Sequence, residues 1–161
     1  MNHYFIHDTP IGELVIETTS DYLIKISFKD RLTKDTKNFS KQIKSFILEK
    51  TIDQFNEYFF NNRKIFTIPY ILNTAPFYRK VLHEVSKIPF GEIKTYKEIA
   101  KTVNNKNAYR AVANANANNP LPIIIPCHRV IRSSGEFGGY GGGTKIKKSL
   151  LKHENKLGYF Y

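Results

Sequence analysis

The sequence predicts an α+β protein, with a small αβ amino-terminal half followed by a mainly helical carboxy-terminal half. Runs in which apolar and polar residues alternate, typical of strands, are confined to about the first 30 residues. Beyond them, apolar residues recur at three- and four-residue steps, which is typical of amphipathic helices. Pro69 and Pro76 bracket a linker, so we expect domains at residues 1–73 and 74–161. With 161 residues, 41% of them hydrophobic, the chain can form a packed core.

The first half predicts an antiparallel meander and one or two helices. The runs HYFIH, ELVIE and YLIKISF are separated by turn residues, Pro10 and Gly12 at one turn and Asp21 at the other. From Ser40 onward the spacing becomes helical. The apolar residues that share this spacing are Ile43, Phe46, Ile47, Phe55, Tyr58 and Phe59.

The second half predicts a helix-turn-helix. A first helix is expected over residues 75–87, with Pro76 in its first turn. Thr95 followed by Glu98 forms a capping box for a short helix, and a second helix is expected over residues 107–117. Two short helices joined by NNKN are typical of DNA-binding domains, and also of small helical domains with no such role.

The positive charge is concentrated in the second half. The whole chain carries +11, but residues 1–73 hold 10 Lys and Arg against 9 Asp and Glu, whereas residues 74–161 hold 15 against 5. This asymmetry favours a polyanionic partner, and a lysine-rich surface kept for solubility is the alternative. The alanine- and asparagine-rich second helix, NAYRAVANANA, is slim enough to approach a nucleic acid closely, although alanine is also simply the best helix former.

Cys127, the only cysteine, lies in the segment NPLPIIIPCHRVI. Three prolines predict an extended, largely buried segment that holds this thiol rigidly. Cys127 is either an inert buried residue or a nucleophile activated by His128 and by the cations Arg129 and Arg132. Adjacent residues of an extended segment point to opposite faces, so a turn at Cys127 or a bridging water must join the thiol to His128.

Two further features close the carboxy-terminal half. The segment GGYGGG is a candidate hinge, phosphate cradle or pocket lid. The lid, with Tyr140 as its aromatic face, is the favoured interpretation. It lacks the lysine and hydroxyl spacing of a P-loop. Glu154 on the final helix is either the carboxylate that orients the histidine or an ordinary surface charge.

Several function classes are disfavoured. No window approaches the roughly 18 apolar residues of a membrane span, and the amino terminus lacks a signal-peptide pattern, so a cytoplasmic protein is expected. A lone cysteine forms no intrachain disulfide and no cysteine-rich zinc site. His3 and His7, four apart on a strand, would share a face about 13 Å from each other, and the pair lacks further ligands with suitable spacing, so a metal role is disfavoured.

The motif PCHRV at residues 126–130, preceded by NPLPIII and followed by GGYGGG and LLKHE, resembles the O6-alkylguanine-DNA alkyltransferases, also called methylated-DNA-protein-cysteine methyltransferases. The resemblance extends from about Phe77 to Glu154. It implies a ribonuclease-H-like amino-terminal domain and a winged helix-turn-helix domain that carries the alkyl acceptor. It also implies single-turnover repair of O6-alkylguanine, with O4-alkylthymine as a second candidate substrate, by a cofactor-free monomer acting on double-stranded DNA.

The resemblance also implies roles for individual residues. Cys127 resembles the acceptor, His128 the base acting through water, Glu154 the carboxylate that orients it, and Tyr96 the tyrosine that protonates the leaving guanine. Arg110 resembles the finger that replaces the flipped nucleotide, and its companions at the DNA are Ala108, Tyr109, Ala111 and Asn114. Residues expected at the substrate pocket are Asn119, Tyr140, Gly141 and Gly142, and no metal is implied. Asn119 resembles the asparagine that ties the recognition helix, the second helix of the helix-turn-helix, to the active-site segment.

Two positions depart from the family pattern. Gly141 stands where some members carry a serine, so only a backbone donor is expected there, and Tyr109 is bulkier than the small residue of some relatives. Two rival functions are a binding-only sensor of alkylated DNA, against which the presence of Cys127 counts, and a cysteine hydrolase, which the adjacency of Cys127 and His128 disfavours.

Overall fold

The computed structural model describes residues 2–32 and 45–155. The chain divides into two compact units, Met1–Asn73 and Thr74–Tyr161. No helix among the described residues is long and apolar enough to cross a membrane. The predicted helical positions Ser40 and Ile43 lie outside the described residues.

The first unit contains the predicted antiparallel meander. Strands β1 (His3–Thr9), β2 (Gly12–Thr18) and β3 (Leu23–Phe28) pair in that order, with a register shift between Glu17 and Thr18. A short 3₁₀ turn, Lys29–Arg31, follows β3.

Helix α1 (Phe46–Phe60) packs against all three strands. Its first turn is capped by Ser45, whose hydroxyl accepts a hydrogen bond from the Leu48 N–H at 3.1 Å. Phe55 and Tyr58 are fully buried as the spacing predicts, but Phe46 at the exposed start of the helix is 74% exposed.

The second unit is mainly helical. Helix α2 (Pro76–Ser86) lies within a residue of its predicted bounds at each end. Helices α3 (Tyr96–Thr102) and α4 (Tyr109–Ala117) pack against each other and against α2. The capping box is present as predicted, with Thr95 accepting from the Glu98 N–H and Glu98 accepting from the Thr95 N–H. The second helix begins two residues later than expected, since residues 106–108 form a turn.

A two-residue parallel pair adds a small sheet to the helices. Strand β4 (Lys94–Thr95) pairs with β5 (Val130–Ile131), and helix α5 (Thr144–His153) follows. The α+β prediction is therefore confirmed.

The proline-rich segment before Cys127 is buried as predicted, but it is not extended, and that prediction was wrong. The Ile125 N–H donates to the Leu121 carbonyl at 2.9 Å, and Ile123 adopts a φ of 74°. A β-branched residue rarely adopts this conformation, so the surrounding packing must hold it there. The Asn119 side chain does part of this, because its amide donates to the Ile125 carbonyl at 2.8 Å and its oxygen accepts from the Leu121 N–H at 3.0 Å.

Candidate active site

Cys127 begins a 3₁₀ turn, Cys127–Arg129, directly after the proline-rich loop. The turn is closed by a hydrogen bond from the Arg129 N–H to the Pro126 carbonyl at 2.9 Å. A turn is therefore present at Cys127, but it does not join the thiol to His128 directly, because the ring nitrogen Nδ1 of His128 has no hydrogen-bond partner among the described residues. Cys127 is only 3% exposed, so the thiol is held in the protein interior.

His128 and Glu154 form the predicted pair. The His128 Nε2 lies 2.9 Å from the Glu154 Oε1, and both side chains are fully buried. A carboxylate only accepts hydrogen bonds, so Nε2 carries the proton and Nδ1 keeps a free lone pair. Nδ1 is buried and has no hydrogen-bond partner among the described residues. Burial lowers the pKa of His128 from its ordinary value, so the ring is neutral near pH 7 and can accept a proton.

Glu154 is the C-cap of α5, and more than one residue holds it there. Arg129 donates from Nε to Oε2 at 2.8 Å and from Nη2 to Oε1 at 2.9 Å, and the Gly91 N–H also donates to Oε2. Burial alone would raise the pKa of Glu154, but hydrogen bonds from His128 and Arg129 hold it well below its usual range. The reading of Glu154 as an ordinary surface charge does not fit this burial.

The two arginines do not take the position that the sequence suggested. Arg129 was expected to favour the thiolate, but its guanidinium binds Glu154 and the Ile88 carbonyl and lies over the Phe90 ring. Arg132 is exposed and pairs with Glu136 at 3.0 Å.

Lys147 is the buried cation that acts on Cys127, and sequence reasoning missed it. Its ammonium donates to the Val130 carbonyl at 2.6 Å and to the Phe137 carbonyl, and it lies 5.9 Å from the centre of the Tyr96 ring. Burial lowers its pKa to about 8, and attraction to Cys127 opposes that shift. In the sequence Lys147 is one of several lysines, and only its three- and four-residue spacing to Leu150 and Leu151 marks it as a residue of the buried face.

Burial raises the pKa of the Cys127 thiol, whereas the Asn119 side chain and the Lys147 charge lower it. Desolvation is the largest of these effects, so the resting residue is a thiol and needs a base. Burial also raises the pKa of Tyr96, and the negative charge of Cys127 raises it further once the thiolate forms, so the phenol stays protonated.

A cavity of about 520 Å³ lies between α3, α4 and the glycine-rich loop, and Cys127, His128 and Glu154 are not among the residues that line it. Tyr96 forms part of its wall and interacts electrostatically with the buried Cys127. Of the residues predicted at the DNA, Tyr109, Arg110 and Asn114 line the cavity, and Ala108 and Ala111 do not. The remaining lining residues are Lys97, Ala113, Ala117, Arg132, Ser133, Gly138 and Gly139.

The predicted pocket residues Asn119, Tyr140, Gly141 and Gly142 are absent from that lining in the described part of the chain. Gly138 is the glycine that meets Tyr96, since a Cβ atom there would lie 2.6 Å from the phenol oxygen. Helix α4, the recognition helix, is connected to the active-site turn by Asn116, whose amide donates to the Cys127 carbonyl at 3.0 Å. The Asn119 side chain instead forms hydrogen bonds within the proline-rich loop that precedes Cys127.

His3 and His7 both lie on β1 of the first unit. No group of metal-ligating side chains occurs among residues 2–32 and 45–155. His7 instead contacts the Asn56 amide oxygen at 3.1 Å.

The fold and site together define a cysteine-dependent DNA-modifying protein, with a helix-turn-helix beside a single buried thiol and its His–Glu pair. Two family models match: the ribonuclease-like domain of 6-O-methylguanine DNA methyltransferase over residues 2–71 and its DNA-binding domain over residues 76–156. The chain belongs to the methylated-DNA–protein-cysteine methyltransferase family. The ribonuclease-like and DNA-binding architecture implied by the resemblance is thereby confirmed.

Individual relatives span nearly the whole chain. The constitutive methylated-DNA–protein-cysteine methyltransferase of Bacillus subtilis is 38% identical over 158 residues, covering 96% of each chain. The crystal structure of Mycobacterium tuberculosis O6-methylguanine methyltransferase superimposes with a TM-score of 0.87 at 35% identity, covering 96% of this chain and 93% of that one. The M. tuberculosis protein OGT in complex with DNA gives a TM-score of 0.85 at 36% identity, covering 94% and 92%.

Proposed function

We propose that this methyltransferase repairs O6-alkylguanine in duplex DNA by moving the alkyl group to Cys127, once per molecule. The observation that carries the proposal is the buried arrangement of Cys127, His128 and Glu154, together with a cavity on the helix-turn-helix face whose wall includes Tyr96, which interacts with Cys127. Membership of the family supports the reaction, and the geometry supports the assignment of these residues to it.

The reaction begins with removal of the thiol proton. His128 accepts this proton at Nδ1 through a water molecule, because Nε2 is already committed to Glu154. Glu154 fixes the ring orientation and stabilises the imidazolium that forms. Lys147 stabilises the thiolate by charge, which offsets part of the cost of ionising a buried group.

The thiolate then attacks the alkyl carbon. The carbon–sulfur bond forms as the bond from that carbon to the guanine oxygen breaks, and the electron pair passes to the guanine. Tyr96 donates its phenolic proton to the leaving base, which is consistent with its raised pKa. The tyrosinate is reprotonated by the proton held on His128. The product is a thioether without an easy leaving group, so each molecule is consumed.

The alkyl group lies inside the stacked duplex, so the nucleotide must be flipped into the cavity at a cost of a few kcal/mol. Arg110, exposed on α4 at the cavity, enters the position that the nucleotide leaves. The small side chains Ala113 and Ala117 on the same face let the helix approach the groove closely. O4-alkylthymine is a second candidate substrate, since its alkyl group occupies a comparable exocyclic oxygen.

We propose further that the protein acts as a monomer in the cytoplasm, where thiols are kept reduced. Cys127 must be free to react, and it is unpaired in the structure.

The test is the intact mass of the protein after incubation with duplex DNA carrying O6-methylguanine. We expect one stable methyl adduct, about 14 Da, mapped to Cys127, and none on a Cys127→Ser variant. Repeated turnover would favour a hydrolase, and tight binding without an adduct would favour a sensor of alkylated DNA; either result would contradict the proposal.

A further inference from the structure

Tyr109 is a large aromatic residue in the lining of the cavity, at the position where the sequence is bulkier than some relatives. It is the first residue of α4 and 39% of its surface is exposed. It lines the cavity together with Tyr96 and Arg110.

The Tyr109 ring is held by two cations. The Lys97 ammonium lies 5.9 Å from the ring centre, and the Arg110 guanidinium carbon also lies 5.9 Å from it. Both distances are within the range of cation–π attraction, so the two charges restrain the ring, while 39% of the surface of the residue stays exposed. Lys97 is in the first turn of α3, so this cluster joins the starts of both helices of the helix-turn-helix.

An exposed aromatic ring flanked by cations is the arrangement that proteins use to stack on unpaired nucleic-acid bases. The ring offers a face to a base, and the cations pair with nearby phosphates. Flipping a nucleotide out of the duplex creates such a base, because each flanking base loses one stacking neighbour. Arg110 is a planar cation and offers a smaller surface than a tyrosine for restoring that contact.

We propose that Tyr109 stacks on a base next to the flipped nucleotide and thereby stabilises the extrahelical state. This role deepens the proposed function and rests on it, since it requires a nucleotide that enters the cavity. It is distinct from the role of Arg110, which occupies the vacated position itself. Removal of the ring should lower the rate of repair in duplex DNA by roughly tenfold, in line with the effect of losing one base–aromatic stack.

The test uses the full chain with Cys127→Ser, which binds the lesion without alkyl transfer. The duplex carries O6-methylguanine with 2-aminopurine placed, in turn, on its 5′ and its 3′ side. The fluorescence of 2-aminopurine rises when it loses a stacking neighbour and falls when it is stacked. We expect Tyr109→Leu to give a brighter complex than the parent at one of the two positions, and Tyr109→Phe to match the parent.

Tyr22→Leu, which removes a tyrosine of similar exposure in the first unit, is the matched control and should match the parent. Equal fluorescence for the parent, Tyr109→Phe and Tyr109→Leu at both positions would overturn the inference. A second measurement uses chains with Cys127 intact and compares repair of duplex DNA with repair of single-stranded DNA. Equal rates of duplex repair for Tyr109→Leu and the unaltered chain would also overturn the inference. The mass adduct on the unaltered chain separates the two failures: its presence leaves the proposed function standing, and its absence removes both.

Discussion

Gly138 fixes the position of the Tyr96 phenol by leaving room for it. The glycine has a φ of 71°, and a Cβ atom would lie 2.6 Å from the phenol oxygen and 3.0 Å from a ring carbon. Any side chain there is strained by the backbone and must also displace the ring of Tyr96, a residue that is only 7% exposed.

We expect Gly138→Ala to lower the single-turnover rate of alkyl transfer by roughly tenfold to 100-fold, because small displacements of a catalytic group have effects of that size. Rapid-quench measurement with methylated duplex DNA gives this rate. Gly141→Ala is the matched control, since a Cβ atom there meets nothing within 4 Å. Similar losses in both variants would indicate that the loop as a whole, rather than the contact with Tyr96, sets the rate.

The sequence alone identified some residues of the site and missed others. The motif PCHRV around Cys127 was recognisable because it is contiguous, and Glu154 because it is the one carboxylate of the segment IKKSLLKHE. Gly138 was passed over in favour of Tyr140, Gly141 and Gly142, because nothing in a run of glycines reveals which one faces another side chain. A buried lysine such as Lys147 is equally hidden, since burial of a charge depends on carbonyls contributed by residues 10 and 17 positions away.

Glu154 connects the active-site turn to the end of α5. His128 and Arg129 of the turn both donate to this carboxylate, so two elements separated by about 25 residues depend on its charge. Elements defined by local signals, such as α3 with its capping box, were predicted closely. The loop before Cys127 was not, because a φ of 74° at Ile123 is imposed by packing and by Asn119, and the local preference of isoleucine opposes it.

The unfolding free energy should fall as the pH is lowered from 8 to 5. The pKa of buried His128 is lowered in the folded state, so below its ordinary value of 6.5 the unfolded chain binds a proton that the native chain does not. Glu154 acts in the same direction at lower pH: its folded pKa lies below its ordinary 4.5, so its contribution is present above that value and is lost as the pH falls further. Burial also lowers the pKa of His7, which therefore adds to the fall in the same direction.

Urea unfolding at several pH values measures this dependence. His128→Gln should flatten the part of the fall around pH 6.5, while His83→Gln, at an exposed position of α2, should leave the curve parallel to that of the parent. An unchanged slope in His128→Gln would mean that the buried imidazole is not what couples stability to pH.

At the scale of the whole molecule, charge distinguishes the two units. Residues 74–161 carry a net +10 and residues 1–73 a net +1, and this asymmetry was readable from the sequence alone. The sequence could not say which cations are available to DNA. Arg129 and Lys147 are buried and already bound to a carboxylate or to carbonyls, whereas Lys97 and Arg110 lie exposed at the cavity.

Binding to duplex DNA should therefore weaken steeply with salt, by about 0.9 log unit per log unit of salt for each phosphate neutralised. We expect Lys97→Gln to reduce the slope of log affinity against log salt by about one unit, because the lost cation releases one counterion fewer. Fluorescence anisotropy with labelled duplex at four or more salt concentrations gives this slope. Lys25→Gln, an equal loss of charge at an exposed position of β3, should lower affinity little and keep the parent slope. If both variants shift the slope alike, net charge rather than the helix-turn-helix face determines binding, and the role of Lys97 beside Tyr109 at the DNA would have to be abandoned.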